Sequence, residues 1–468
     1  MQVFSGARRS GLVALLCAGG FVLGAAPGHA QQAASGQGSQ GWLFDLSGLG
    51  QGVGAALADK GIYLNGHYMG EGLSEVGGGR KQGSFYESYT TAGADFDMGK
   101  IVGIEGGAVH FVVSDIAGQS YAGYSGSDFS YNRDWGYGPG VRLNELSWDQ
   151  ELFDNRVRIL AGRIDTETDF DTMAVQCQLL TTTCSAPAGY IMDKSGVAFN
   201  SSSWGATATL KPSKPTYFKF GVYEDEGILA DENQLAWPGR DWDFQSSTGA
   251  LIPVEMGYRT TAQNDLYPKI YDIGGFYDTA SYADPLLNTA GGSHVLKGGA
   301  SKEDIGRSQV YFQAQQMVYR HDPGSDRGLT LFAAGNWATS GEAEIENDVV
   351  LGVYAKGMFD VRPNDTLTFG ATLIGINHRI TERIDQTIVK QGGSGHVGSE
   401  EGVLEVDYGI ALAPGITLTP MLQYVAHPDQ YLNPTPSGDM NYSLMVGTWL
   451  MFNFNSAFGL PQMLRGTY

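Results

Sequence analysis

Apolar and polar residues alternate over stretches of about ten residues along almost the whole chain, and this pattern limits what the polypeptide can become. From Thr366, the run TLTFGATLIG places Leu367, Phe369, Ala371 and Leu373 on one face of a strand and Thr366, Thr368, Gly370 and Thr372 on the other. From Val403, VLEVDYGIAL sets Leu404, Val406, Tyr408, Ile410 and Leu412 against Glu405, Asp407, Gly409 and Ala411. In the next run Ile416, Leu418, Leu422 and Tyr424 oppose Thr417, Thr419 and Gln423. Successive side chains of a strand leave on opposite sides, so each run has one oily face and one wet face.

Sixteen such segments begin near positions 62, 84, 107, 141, 156, 204, 216, 250, 267, 308, 329, 347, 366, 402, 416 and 441. Within boundary errors of a few residues, about fourteen or about eighteen strands fit the same pattern. The connections alternate too. KPSKP, DPGSDRG, VRPND and Pro414-Gly415 are tight, whereas those after positions 72, 116, 164, 227, 281, 379 and 428 are long. One rim of turns and one of loops is the habit of a transmembrane antiparallel β-barrel, and a soluble sandwich has no reason to segregate its loops. Closure has an energetic motive, because an open sheet edge in hydrocarbon leaves backbone groups without partners. About sixteen strands enclose an aqueous channel, whereas about eight are filled by side chains.

The flanking segments read differently. Arg8 and Arg9, an apolar run from Leu12 to Ala26 and Gly28-His29-Ala30 form the pattern of an export signal cleaved after Ala30, so residues 1–30 are set aside. The apolar run is too short to span a bilayer as a helix, and no later stretch approaches the length required. Residues 31–60 form a leader rich in Gly, Gln and Ser; its part from Trp42 to Leu57 is expected to be either a short amphipathic piece or a flexible lead-in. The barrel is expected over 61–455, followed by an extension over 456–468. Loss of Arg8 and Arg9 takes the formal charge from −21 to −23, which argues against a nucleic-acid partner. Cys17 leaves with the signal. Cys177 and Cys184 are close enough to close a small loop as a disulfide in an oxidising compartment, and two thiols alone make a poor zinc or redox motif.

In the fourth and fifth segments, RLNELSWDQELFDNRVRILAGRID (Arg142 to Asp165) resembles the strand pair of the carbohydrate-selective porins of the OprB type. KGIYLNGHYMGEGLSEVGGG, DTETDF followed by VAFNSSSWG, and VLEVDYGIALAPGITLTPMLQYVAHP resemble that family in the same order, so the likeness runs from about Gly61 to Phe454. It implies a sixteen-stranded barrel narrowed by inward-folded loops, and passive diffusion of small carbohydrates across a bacterial outer membrane. Members of the family tend to finish on a strand with an aromatic end, here Phe454, whereas this chain continues through SAFGLPQMLRGTY.

Sugar passage needs a constriction whose polar groups replace part of the solute's hydration and still release it. Carboxylates accept from hydroxyl groups, arginines donate to them and aromatic faces cover the ring's C–H side. If Leu146 and Trp148 face lipid, Glu145, Ser147 and Asp149 face the lumen, with Arg142 near the loop end of the same strand. The connection from Arg163 to Ser203 is the longest and resembles the family's inward-folded loop; it carries Arg163, Asp165, Glu167, Asp169, Asp171 and the Cys177 to Cys184 staple. Arg142, Glu145, Arg163, Asp165, Trp204 and His67 are the candidate solute contacts. His67 shares the first strand's inner face with Asn65 and Glu71, and Trp204 lies at the loop's exit. Glu255, Arg259, Asp272, Lys356, Glu405 and Asp407 read as solvated wall, and Trp42, Trp148, Trp204, Trp337 and Trp449 as girdle residues.

GYGPG and GGGRK lack the context of a phosphate-binding loop, and the acidic run EDEGILADE lacks EF-hand spacing, so both read as loop sequence. No nucleophile block or metal-ligand spacing stands out; neither an enzyme nor a cofactor is expected. The expected partners are a small carbohydrate and the lipid and lipopolysaccharide of the outer membrane, with the chain as monomer or homotrimer. A general or cation-preferring diffusion porin is the alternative, and a secreted soluble carbohydrate-binding or hydrolytic β protein the reading from another class.

Overall fold

The computed structural model describes residues 42–129, 139–166, 169–173, 175–181, 202–226, 247–432, 434–436, 438 and 440–463. The export signal, Glu167, Cys184 and most of EDEGILADE lie outside the described residues.

Sixteen antiparallel strands form one closed sheet. The first, β1, runs in two pieces, Ile62–Asn65 and His67–Gly78, around Gly66. There follow β2 (Gly83–Asp97), β3 (Gly107–Gly118), β4 (Gly140–Leu152), β5 (Val157–Ile164), β6 (Ser203–Leu210), β7 (Thr216–Glu226) and β8 (Ser247–Arg259). The second half comprises β9 (Lys269–Asn288), β10 (Ser301–Arg320), β11 (Gly328–Ser340), β12 (Ile345–Lys356), β13 (Thr366–Ile376), β14 (Glu400–Ala413), β15 (Ile416–Ala426) and β16 (Tyr442–Asn453). Each strand pairs with its neighbour in sequence, and β16 returns to β1 from Asn453 opposite His67 to Ser443 opposite Gly78.

The distribution of side chains is inverted relative to a soluble protein. On β13, Leu367, Phe369 and Leu373 are exposed while Thr368 and Thr372 are buried; on β14, Leu404 and Val406 are exposed while Glu405 and Asp407 are buried. Apolar groups therefore form the outer surface and polar groups line the interior, as a bilayer outside and water inside demand. No described helix is long and apolar enough to cross a membrane.

The expected strand starts lie close to the observed ones. The largest difference is at β10, expected near 308 and beginning at Ser301, because β9 and β10 form a hairpin of 20-residue strands. The first outer connection, expected to be long, is only 79–82 because β1 runs on to Gly78. At the opposite rim the tight turns hold. In Pro414-Gly415, Gly415 takes φ +69°, where any Cβ would crowd the Asn453 carbonyl oxygen.

The leader and the C-terminal extension meet at the turn rim. Helix α1 (Gln51–Ala58) follows a segment in which Leu43 N donates to Leu412 O at 2.8 Å, and Gly50 N donates to Phe458 O at 2.9 Å. Strand β16 stops at Asn453, whose side chain accepts from Ser456 N at 3.0 Å and starts a short helix, Phe454–Phe458. Phe454 therefore opens a helical turn instead of ending the last strand. Leu46 packs with Ala413, Ile416 and Ala457, so the segments flanking the barrel share one apolar contact.

At the loop rim, helix α2 (His378–Lys390) buries Ile380, Ile384 and Ile388 along one face. These join Phe129, Ile345, Ile374, Ile376, Val397 and Tyr431 in one core above the barrel wall.

Candidate functional site

The described part of the connection after β5, up to residue 181, folds into the barrel and lies along its inner wall, held by two sets of contacts. The first is apolar. Phe170 packs with Leu160, Ile164, Tyr223, Leu251 and Phe276, which are inward residues of β5 and β7 to β9. Farther along, Met173, Val175 and Leu179 meet Phe332, Ala334 and Val350 of β11 and β12. Leu180 then reaches Met69, Leu73, Met421, Met445 and Trp449 of β1, β15 and β16. These pegs trace a path around more than half of the circumference. Glycine makes room for two of them: a Cβ at 370 would overlap the Leu179 side chain, and one at 221 would stand 2.9 Å from Phe170.

The second set is polar and uses wall carboxylates. Glu255 accepts from Asp171 N at 2.8 Å, from the hydroxyls of Tyr217 and Tyr311 at 2.9 and 2.8 Å, and pairs with Lys219 at 3.2 Å. Glu405 accepts from Leu180 N and from both the amide and the hydroxyl of Thr181. Gln423 donates to Glu405 at 2.8 Å and accepts from Tyr121 OH at 3.0 Å, so it links this loop to the inward-turned Tyr121 of the preceding outer loop. The side chain of Asp169 accepts from Thr207 at 2.8 Å, and its carbonyl from Lys219. Loop amides cannot stay dry without acceptors, and ionised acceptors give the stronger bonds.

Glu255 and Glu405, expected to be solvated wall, are thus buried anchors of the loop. Arg259 and Asp272 are a buried ion pair at 3.3 Å, and Asp407 accepts from Trp449 Nε1 at 3.3 Å. Lys356 instead pairs with Asp326 near the turn rim. Trp449, expected in a girdle, is buried inside the barrel, whereas Trp337 is exposed on the outside and stacks on Phe312 with ring centroids 5.7 Å apart. Inward apolar residues such as Phe332, Val350 and Met445 were the available sequence signal for the loop's path, because they break the polar lining where a peg must seat.

On β4 the structure brings Arg142 and Glu145 to the same side. A register shift inserts Asn144 between Leu143, opposite Val113, and Glu145, opposite Val112, so residues three apart both face inward. Arg142 is buried opposite Ser114, and Glu145 accepts from Ser147 Oγ at 2.6 Å. Below them His110 bridges Asp95 at 2.7 Å and Asp149 at 3.4 Å, and Arg158 reaches Asp149 at 3.1 Å. His67 faces inward near the turn rim, 3.4 Å from Thr91 and tilted on Tyr89.

Arg163 and Trp204 are not brought to this wall. They pair directly across β5 and β6, and Leu160 and Ile164, which pack on the loop, occupy the alternate face. The Arg163 guanidinium lies 5.7 Å from the Trp204 ring and donates to Ser202 O at 2.8 Å. By register both lie on the face opposite Leu160 and Ile164, where Arg163 is buried. Asp165 is buried at the start of the loop. Cys177 is disulfide-bonded, while its expected partner Cys184 is outside the described residues.

The arrangement is a barrel with a stiffened inner loop facing a polar wall, and it matches known proteins. A family model described as carbohydrate-selective porin, OprB family, matches residues 81–454. Porin B of Pseudomonas aeruginosa is 26% identical over 390 residues, covering 80% of this chain and 84% of its own, and the putative porin QuiX of Acinetobacter baylyi is 25% identical over 393 residues, covering 80% and 86%. The high-pH structure of Pseudomonas putida OprB superposes with a TM-score of 0.75 at 21% identity, covering 89% of this chain and 99% of that one, which shows the shared fold. With its sixteen-stranded closure, polar lining and pinned inner loop, the chain belongs to the OprB family of carbohydrate-selective porins and is a bacterial outer-membrane protein.

Proposed function

We propose that the chain passes monosaccharides and related small carbohydrates down their gradient, through the gap between the pinned loop and the polar wall of β2 to β4. Arg142 and Glu145 are the pair assigned to solute hydroxyl groups, one donating and the other accepting. The observation that carries this reading is their common inward orientation across the β4 irregularity, opposite a loop held by Glu255 and Glu405. A Cys177 to Cys184 disulfide would limit the loop's freedom further. Export with cleavage after Ala30, contact with lipopolysaccharide at the loop rim and a monomeric or homotrimeric state complete the proposal.

A cation-preferring diffusion pore is the second reading, favoured by the acidity of the same wall. Glu71 and Glu87 are buried on the neighbouring inner faces of β1 and β2, and Asp95 and Asp149 share His110 while Asp149 also meets Arg158. Planar-bilayer recording separates the two. Saturable block of ion current by added sugar supports the selective pore, and current indifferent to sugar, with strong cation preference in a salt gradient, supports the other.

A further inference from the structure

Where the inner loop is fastened to the wall of β8 to β12, several buried oxygens have no described donor. Asp171 is buried; its amide donates to Glu255 at 2.8 Å, and its Oδ1 accepts from Gln313 Nε2. The other carboxylate oxygen, Oδ2, is buried and receives nothing. The Gln313 carboxamide lies against this carboxylate, and its own Oε1 is also buried without a donor. On the next strand Asn336 Oδ1 is a third such oxygen, since that side chain directs its nitrogen to Gln309.

Register places these groups in one patch. Gln313 stands opposite Ala334, and Ala334 opposite Val350; one inward step along, Tyr311 stands opposite Asn336, and Asn336 opposite Asp348. The loop touches both rows. Asp171 meets Gln313, Met173 packs with Ala334 and Val350, and the Glu255 oxygen that receives the Asp171 amide also receives Tyr311 OH at 2.8 Å.

The charges in the patch are unevenly answered. Lys219 pairs with Glu255 at 3.2 Å and Arg259 with Asp272 at 3.3 Å, whereas Asp171 has no basic partner among the described residues. Burial first, and then the charges of Glu255 and Asp348, hold Asp171 well above the ordinary carboxylate range. Oxygens without donors, beside an acid without a base, are the surroundings that a hard cation requires. We propose that Asp171 and Asp348, with the carboxamide oxygens of Gln313 and Asn336, hold a calcium ion between the root of the inner loop and the barrel wall.

Calcium suits this set better than magnesium. It accepts about six to eight oxygens in flexible geometry, uncharged carbonyls included, whereas magnesium demands an octahedron and gives up its water reluctantly. Among the described residues no three of His, Cys, Asp and Glu gather as a metal site, so the carboxamides and water must complete the shell. Bound there, the ion ties the loop to β10, β11 and β12, which lie between the anchors Glu255 on β8 and Glu405 on β14. The site does not depend on which solute the channel passes.

The test is calcium binding by the full chain refolded in detergent without lipopolysaccharide, whose phosphates take up the same ion. After treatment with EGTA and desalting, calorimetric titration with calcium chloride should show one site per chain, with a dissociation constant of about 10⁻⁴ to 10⁻³ M, the range of extracellular calcium modules, and weaker binding of magnesium chloride. Asp171→Asn should weaken the site at least about tenfold, because affinity follows the number of charged ligands, and Gln313→Leu should weaken it several-fold. In single-channel recordings EGTA should raise the open-current noise of the wild type and calcium should lower it again, while both variants stay noisy in either solution. Wild-type protein without saturable calcium binding overturns the proposal whether or not a variant folds, and leaves Asp171 as a buried protonated acid. Unchanged affinity in both variants also overturns it, since the ion then sits elsewhere. A wild-type chain that carries no current counts against the porin reading, and calorimetry still decides the calcium site.

Discussion

Glu405→Ala tests how the constriction is held. The carboxylate receives Leu180 N, Thr181 N at 3.2 Å, Thr181 Oγ1 and Gln423 Nε2 at 2.8 Å. Hydrogen bonds to a charged acceptor contribute about 1.5 to 3 kcal/mol each when dry. Lumen water can solvate the donors once the loop lifts, so the four do not add in full, and about 3 kcal/mol is a reasonable loss for the loop tip. That changes the ratio of seated to lifted loop by about 150-fold. The apolar pegs oppose complete release, since burial of Leu179 and Leu180 stabilises the seat by about 1.5 to 3 kcal/mol each. The expected channel folds normally, shows greater open-state current noise and admits larger oligosaccharides in liposome swelling, with partial recovery in Glu405→Gln. Noise and size limit equal to wild type would refute the view that Glu405 fixes the aperture.

Replacing Arg142 and Glu145 together by Ala should weaken sugar block of the current at least several-fold, whereas Arg163→Ala should leave it unchanged because that residue lies on the other face of its strand and is engaged by Ser202 O; titration of current with sugar reads both. Gly370→Leu should displace Leu179 and reproduce the noise of Glu405→Ala without touching a charge, as single-channel traces would reveal. Leu373→Arg, on the exposed outer face, should impair assembly by about 2 to 4 kcal/mol near the bilayer midplane, measured by folding into vesicles in urea.

The barrel was legible because its signal is local. On β13 and β14 the side-chain period alone separates Leu373 and Leu404 from Thr372 and Glu405, and the turns KPSKP and Pro414-Gly415 mark one rim without reference to anything distant. The constriction was only partly legible. Period two does place Glu145 inside, but the irregularity that carries Arg142 to the same side depends on pairing with Val112 and Val113 of another strand. Arg163 was singled out because its sequence neighbourhood resembles the family loop, while its face of the strand is decided by register with Trp204. Glu255 and Glu405 looked like solvated wall because nothing near them in sequence discloses that a segment some 84 and 225 residues away will need their oxygens.

The seam between the last and first strands also has a temporal meaning. Asn453 faces His67, and the helix preceding the first strand rests on the turn that follows the last. Contacts of such wide separation form slowly, since the intervening chain must be ordered before they are rewarded. Until the final residues have crossed into the periplasm, no subset of strands can complete the cylinder, and the nascent polypeptide must wait there with its oily stripes accessible. Protection of those stripes until the seam can close is the demand that this topology makes.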